Sequence, residues 1–205
     1  MNRIALAVVL AGSTALPAAN AQAAVIVYEA ALSGPNESPP NASPGTGFTT
    51  VRYDDLLHTL RVEITFADLI ANTTASHIHV LVPPQTLTGG VATHTPSFSG
   101  FPLGVTSGSY DHTFDLTLAS SWNGAFITAN GGTPAGAEAA FATALAEGRT
   151  YLNIHTSAFP GGEIRGFLAP AVPESATWAL LLLGFGFAGA ALRRRPALAT
   201  VGAAT

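Results

Sequence analysis

The sequence contains no cysteine and no lysine, and only 10% of its residues are charged. Without cysteine there can be no disulfide, no thiol nucleophile and no cysteine-ligated zinc or iron–sulfur site. The fold must therefore be held by its core. Without lysine, arginine is the only permanent cation. Between residues 24 and 171 only Arg52, Arg61, Arg149 and Arg165 stand against eleven acidic residues. A surface this acidic repels a phosphate backbone, which excludes nucleic acid as a partner. Also missing are a nucleophile elbow, a glycine-rich phosphate loop and any spacing that singles out two carboxylates of the glycosidase kind.

Much of the 48% hydrophobic content lies at the two ends. Residues 1–23 have the three parts of a secretory signal. Arg3 supplies the positive start, an apolar stretch begins at Ile4, and Ala21-Gln22-Ala23 offers an A-x-A cleavage site, with Ala19-Asn20-Ala21 as a second choice. Near the other end, residues 176–192 carry no charge and are followed by Arg193-Arg194-Arg195. At helical rise such a run spans about 26 Å, enough for a thin bilayer. The arginines would hold that end on the cytoplasmic side and leave the body of the protein outside.

Val172-Pro173-Glu174, the apolar run and the arginine cluster follow in the order of the PEP-CTERM sorting signal of Gram-negative bacteria, which the segment 171–196 resembles. Ser175 stands where that signal has its second proline. The resemblance implies processing by an exosortase-type membrane protease and sorting to the cell surface or beyond. A permanent single-span anchor is the alternative. The chain thus divides into a signal peptide (1–23), a domain (24–170), a sorting segment with one transmembrane helix (171–196) and a short tail (197–205).

The domain reads as β-structure. Leu60, Val62, Ile64 and Phe66 alternate with Arg61, Glu63 and Thr65, the period of a half-buried strand. Similar runs cover 25–32, 48–52, 77–82, 113–118, 150–155 and 163–168. Gly34-Pro35-Asn36, Pro83-Pro84, Gly89-Gly90 and Pro160-Gly161-Gly162 separate some of them, and Asp54-Asp55 suits a hairpin turn. One helix is expected, capped by Thr133, opened by Pro134 and ended at Gly148, with Ala137, Phe141, Ala144 and Leu145 as its apolar stripe. Residues 86–108 look like an ordered surface loop. The expected fold is all-β, a Greek-key-like sandwich or barrel with one short helix.

Two blocks carry a family resemblance: Ala75-Ser76-His77-Ile78-His79, and Tyr151-Leu152-Asn153-Ile154-His155-Thr156 running on to Gly162-Glu163-Ile164-Arg165-Gly166. With Tyr28-Glu29-Ala30-Ala31-Leu32 and Asn36-Glu37, they resemble the chordin (CHRD) domain over about residues 25–168. That resemblance implies an exported domain but no inherited substrate or reaction.

Strand parity orients the histidines. If Ile78 and Val80 face the core, His77 and His79 together face away from it. If Leu152 and Ile154 face the core, so does His155 face away, beside Tyr151 and Asn153. The segment 148–155 and the His-x-His strand are also distantly similar to copper/zinc superoxide dismutase, which implies that His77, His79 and His155 form a three-nitrogen site for Cu or Zn. His94 is a candidate fourth ligand. The alternative is a hydrogen-bonded polar cluster with Asn153, Thr156 and Glu163 as partners. Glu163 and Arg165, two apart, are expected as a surface salt bridge, and His58 and His112 as solvent-facing residues near turns.

Two functions follow. The first is a non-enzymatic structural, adhesive or binding role at the envelope or in an extracellular polysaccharide matrix. The second is a metal-binding domain with superoxide-dismutase-like redox activity.

Overall fold

The computed structural model describes residues 25–83, 87–171, 180–187 and 189. The expected signal peptide, the Pro173-Glu174 motif and the arginine cluster lie outside them. Of the apolar run 176–192, residues 180–187 and 189 are described and are helical. Among the described residues no helix is long and apolar enough to cross a membrane.

The domain is built from nine strands: β1 (Ile26–Ser33), β2 (Thr46–Asp54), β3 (Thr59–Ala67), β4 (Thr73–Val80), β5 (Gly90–Val91), β6 (Gly108–Asp115), β7 (Thr150–Thr156), β8 (Ile164–Phe167) and β9 (Ala169–Pro170). Between β6 and β7 lie the helices α1 (Gly124–Ala129) and α2 (Pro134–Ala146). All seven strands read from the sequence are present. The two extra strands, β5 and β9, have two residues each, too few to show a period of two.

The strands form one antiparallel sheet in the order β5-β4-β7-β8-β1-β2-β3-β6, with β9 also on β1. A sandwich implies two sheets. Here a single sheet is curled so that its two halves share one core. The bend falls at β1, which pairs with β2 along its whole length, yet meets β8 at one registered pair, Ser33–Arg165. Tyr28, Leu32, Val51, Val62 and Ile64 from one half join Ile78, Leu152, Ile154 and Ile164 from the other in one buried cluster. Alternation does this locally, since each strand can bury only every second side chain.

Helix α2 closes the open side of the curl. Thr133 accepts a hydrogen bond from the Gly136 N–H at 3.1 Å, Pro134 opens the first turn, and Ala137, Phe141, Ala144 and Leu145 are fully buried. At the other end the Gly148 N–H bonds the Leu145 carbonyl and the Arg149 N–H bonds that of Ala144. This is the paired closure of a Schellman motif, with Gly148 at φ +66°.

Residues 87–107 do more than cross the surface, as the sequence suggested. Phe98 and Phe101 enter the core, and Phe98 stacks on Tyr110 with ring centroids 5.8 Å apart. The segment also satisfies the free edge of β4. Ala92 N–H and Phe98 N–H bond the carbonyls of Ile78 and Ser76, while the hydroxyls of Thr93 and Ser97 accept from the N–H groups of the same two residues. An edge that would otherwise show bare backbone groups is thus covered by an irregular strap.

A three-histidine centre under the strap

Strands β4 and β7 lie side by side, with His77 opposite Asn153, His79 opposite Tyr151 and His155 opposite Ala75. Because Ile78, Leu152 and Ile154 point into the core, the three histidines share the other face, as parity required. Their rings meet: centroids are 5.6 Å apart for His77–His79, 5.0 Å for His77–His155 and 5.9 Å for His79–His155. One ring nitrogen from each can be chosen so that all lie within 4.8 Å of one another. His94 is not in this group; its Nδ1 bonds the Ser120 carbonyl at 2.7 Å on the surface.

The face they occupy is not the open outer surface that parity alone suggests. His77 and His79 are only 7% and 8% exposed. The strap supplies cover and two of the hydrogen bonds, and the loop before β8 supplies the third. His77 Nε2 donates to the Pro96 carbonyl at 2.7 Å, His79 Nδ1 to that of Gly89 at 3.0 Å, and His155 Nδ1 to that of Pro160 at 2.9 Å. A carbonyl oxygen only accepts, so each of these nitrogens carries the proton of a neutral imidazole and the other holds a lone pair. Those lone-pair atoms, His77 Nδ1, His79 Nε2 and His155 Nε2, are buried without a partner. Asn153, Thr156 and Glu163, expected as partners of the histidines, bond elsewhere. Burial favours the neutral rings, pushing His77 and His79 down to about pH 4 and lowering His155 as well.

A stack of side chains braces the centre. Tyr151 lies parallel to His79, 5° from coplanar at 4.7 Å, and its hydroxyl accepts from the Gly89 N–H at 3.2 Å. One residue, Gly89, therefore fixes the His79 tautomer through its carbonyl and is itself held by Tyr151 through its N–H. A Cβ at Gly89 would fall on the Val80 carbonyl, so only glycine fits. The Arg165 guanidinium sits over the Tyr151 ring at 4.9 Å and donates to the Leu87 carbonyl at 2.7 Å and to that of Asn36.

Arg165 and Glu163 do not pair with each other, contrary to the expected surface bridge. Gly162, at φ +129°, turns the chain between the loop and β8, and both side chains are buried. Arg165 faces Glu37 at 3.7 Å, whereas Glu163 accepts from Ser43 Oγ, the Ile70 N–H and Thr156 Oγ1 at 2.6, 2.6 and 2.7 Å. Burial outweighs Arg165 in raising Glu37 to about 7. His58 is half-exposed but also engaged, its Nδ1 3.0 Å from both carboxylate oxygens of the buried Glu138. His112 is exposed, as expected, with its ring against Phe114.

Parity placed Tyr151 beside His155, but nothing in the spacing of Glu37 and Gly89 marked them as part of the site. Only the His-x-His pair and the parity of β7 could have been read in advance. Each of the three unpartnered nitrogens has its other ring nitrogen held by a backbone carbonyl, the arrangement that orients histidines toward a metal. At a ligand distance of about 2.0 Å, nitrogens around one ion stand about 3.3 Å apart, so the rings here need only close inward.

A family model described as the CHRD domain matches residues 28–168, and the chain belongs to that family. No curated protein and no solved structure matches it.

Proposed function

With the chain placed in the CHRD domain family, we propose that it is an exported, surface-sorted binding module whose working element is a transition-metal centre formed by His77, His79 and His155. One observation carries this: three imidazoles converge, and each has a buried ring nitrogen whose lone pair meets no donor. A buried polar atom without a partner costs about 1–3 kcal/mol. A module that served only as structure or adhesive would have no use for three of them at one point. Neutral imidazoles suit Cu and Zn, and redox chemistry of the dismutase kind requires copper, because zinc has no accessible second state.

Export rests on residues 1–23, and sorting on the Pro173-Glu174 motif, the apolar run 176–192 and the arginine cluster. The partners this implies are an exosortase-type processing protease and the polysaccharide or envelope components among which the mature domain sits, in a structural, adhesive or binding role.

Calorimetric titration of metal-stripped protein with Cu²⁺, with Zn²⁺ and, anaerobically, with Cu⁺ tests the centre. Wild type should bind one ion per chain. His77→Ala, His79→Ala and His155→Ala should each weaken binding by about 100-fold or more, since each removes a direct ligand. Wild type that takes up no ion, or that binds no better than the three variants, would sink the proposal.

A further inference from the structure

Resting on that centre, we infer that it is built for monovalent copper in preference to a divalent ion. The first ground is charge. The convergent donors are three neutral imidazole nitrogens, with no carboxylate among them. The charge brought up beside them is positive: Arg165 lies over Tyr151, and Tyr151 lies flat against His79. Among the described residues the acid that faces Arg165 is Glu37, whose charge, where it is ionised, is matched by the guanidinium itself. A divalent ion placed here would keep its whole charge in a buried setting. Because the charging energy grows as the square of the charge, this costs about four times as much as for a monovalent ion.

The second ground is coordination. The three lone-pair nitrogens are shut off from solvent, and His94 is turned to the Ser120 carbonyl. Zn²⁺ requires a fourth ligand to complete a tetrahedron. A cuprous ion has the same filled d shell as Zn²⁺ but half its charge, and accepts three nitrogen donors alone. The usual order of affinities would place Cu²⁺ above Zn²⁺ at an imidazole site. Here the lack of any anionic donor works against both and leaves Cu⁺ favoured.

The test is anaerobic competition on the metal-stripped full chain. Cu⁺ is presented as its bicinchoninate complex, and Zn²⁺ and Cu²⁺ are each presented alone against a chromophoric chelator. Cu⁺ should bind at least about 100-fold tighter than either divalent ion. Zn²⁺ or Cu²⁺ binding as tightly as Cu⁺ overturns this inference and leaves the metal centre standing. Binding of no ion overturns both.

Two substitutions then probe the charge argument from opposite sides. Arg165→Met removes the local cation and should narrow the preference for Cu⁺ by about tenfold, while Glu37→Gln, at pH 8, leaves Arg165 unmatched and should widen it by a similar factor. Shifts of the same sign, or none, overturn the role given to Arg165. Should Arg165→Met fail to fold by far-ultraviolet circular dichroism, Glu37→Gln alone decides: a preference that does not widen overturns that role.

Discussion

Glu163 and Glu37 are two buried acids with opposite settings, and the difference lies in their donors. Glu163 is shut off from solvent but accepts three hydrogen bonds from three segments of the chain. Glu163→Ala should therefore destabilise the protein by about 2–4 kcal/mol, read from the urea midpoint, because the Ile70 N–H and two hydroxyls lose their acceptor. Glu37 has Arg165 at 3.7 Å but an unpartnered Oε1, and desolvation prevails, raising it from 4.5 to about 7. This makes the pH dependence of stability a contest. His77 and His79 titrate near 6.5 when unfolded and near 4 when folded, so below 6.5 the unfolded chain binds more protons. Their contribution is present above 6.5 and is lost as the pH falls toward 4. Glu37 acts the other way, since the folded state keeps a proton that the unfolded chain releases between 4.5 and 7; its contribution is lost as the pH rises through that window. In metal-free protein, Glu37→Gln should remove the second slope and leave a steeper rise of stability from pH 4.5 to 7. Urea unfolding at half-unit pH steps checks this, and an unchanged slope would show that Glu37 does not hold its proton in the fold.

At the scale of elements, the site depends on how well the strap is held to β4. Gly89 lies where a Cβ would meet the Val80 carbonyl, and its N–H and carbonyl link Tyr151 to His79. Gly89→Ala should displace β5 from β4 and free the His79 ring. Metal affinity should then fall about 10- to 100-fold, as it does when a partner that orients a ligand is lost. The main core, made by other strands, should stay intact. Calorimetry beside near-ultraviolet circular dichroism separates the two effects; a variant that binds metal like wild type would deny the strap its orienting role. Helix α2 offers a contrast. Thr133→Ala removes one cap, should cost about 1 kcal/mol in a thermal or urea melt, and should leave metal binding untouched, since α2 packs on the core side of the sheet.

At the scale of the whole molecule, the two proposed terminal signals would bracket a domain made of one curled sheet. Protein recovered from a host with an exosortase-type protease should begin near Ala24 and lack Arg193-Arg194-Arg195, by intact mass. Retention of residues 176–205 would favour a permanent anchor instead. Neutral replacements at the three arginines should weaken sorting, because they remove the charge that would hold the C-terminal end on the cytoplasmic side.

Strand parity is a local rule, and it carried the sequence far. Alternation along 60–66, 77–80 and 150–155 was enough to find β3, β4 and β7 and to put His77, His79 and His155 on one side. The cap at Thr133 and the closure at Gly148 were equally local, since each needs only its own helix end. What alternation could not say is that the side away from the core is covered too. That cover comes from Gly89, Pro96 and Pro160, and from an arginine that meets a glutamate at Glu37, far off along the chain. Only the curl of the sheet and the strap along β4 bring these groups together. They decided the tautomers, the buried lone pairs and the separation of Glu163 from Arg165, because burial is a property of distant segments meeting and not of any one strand.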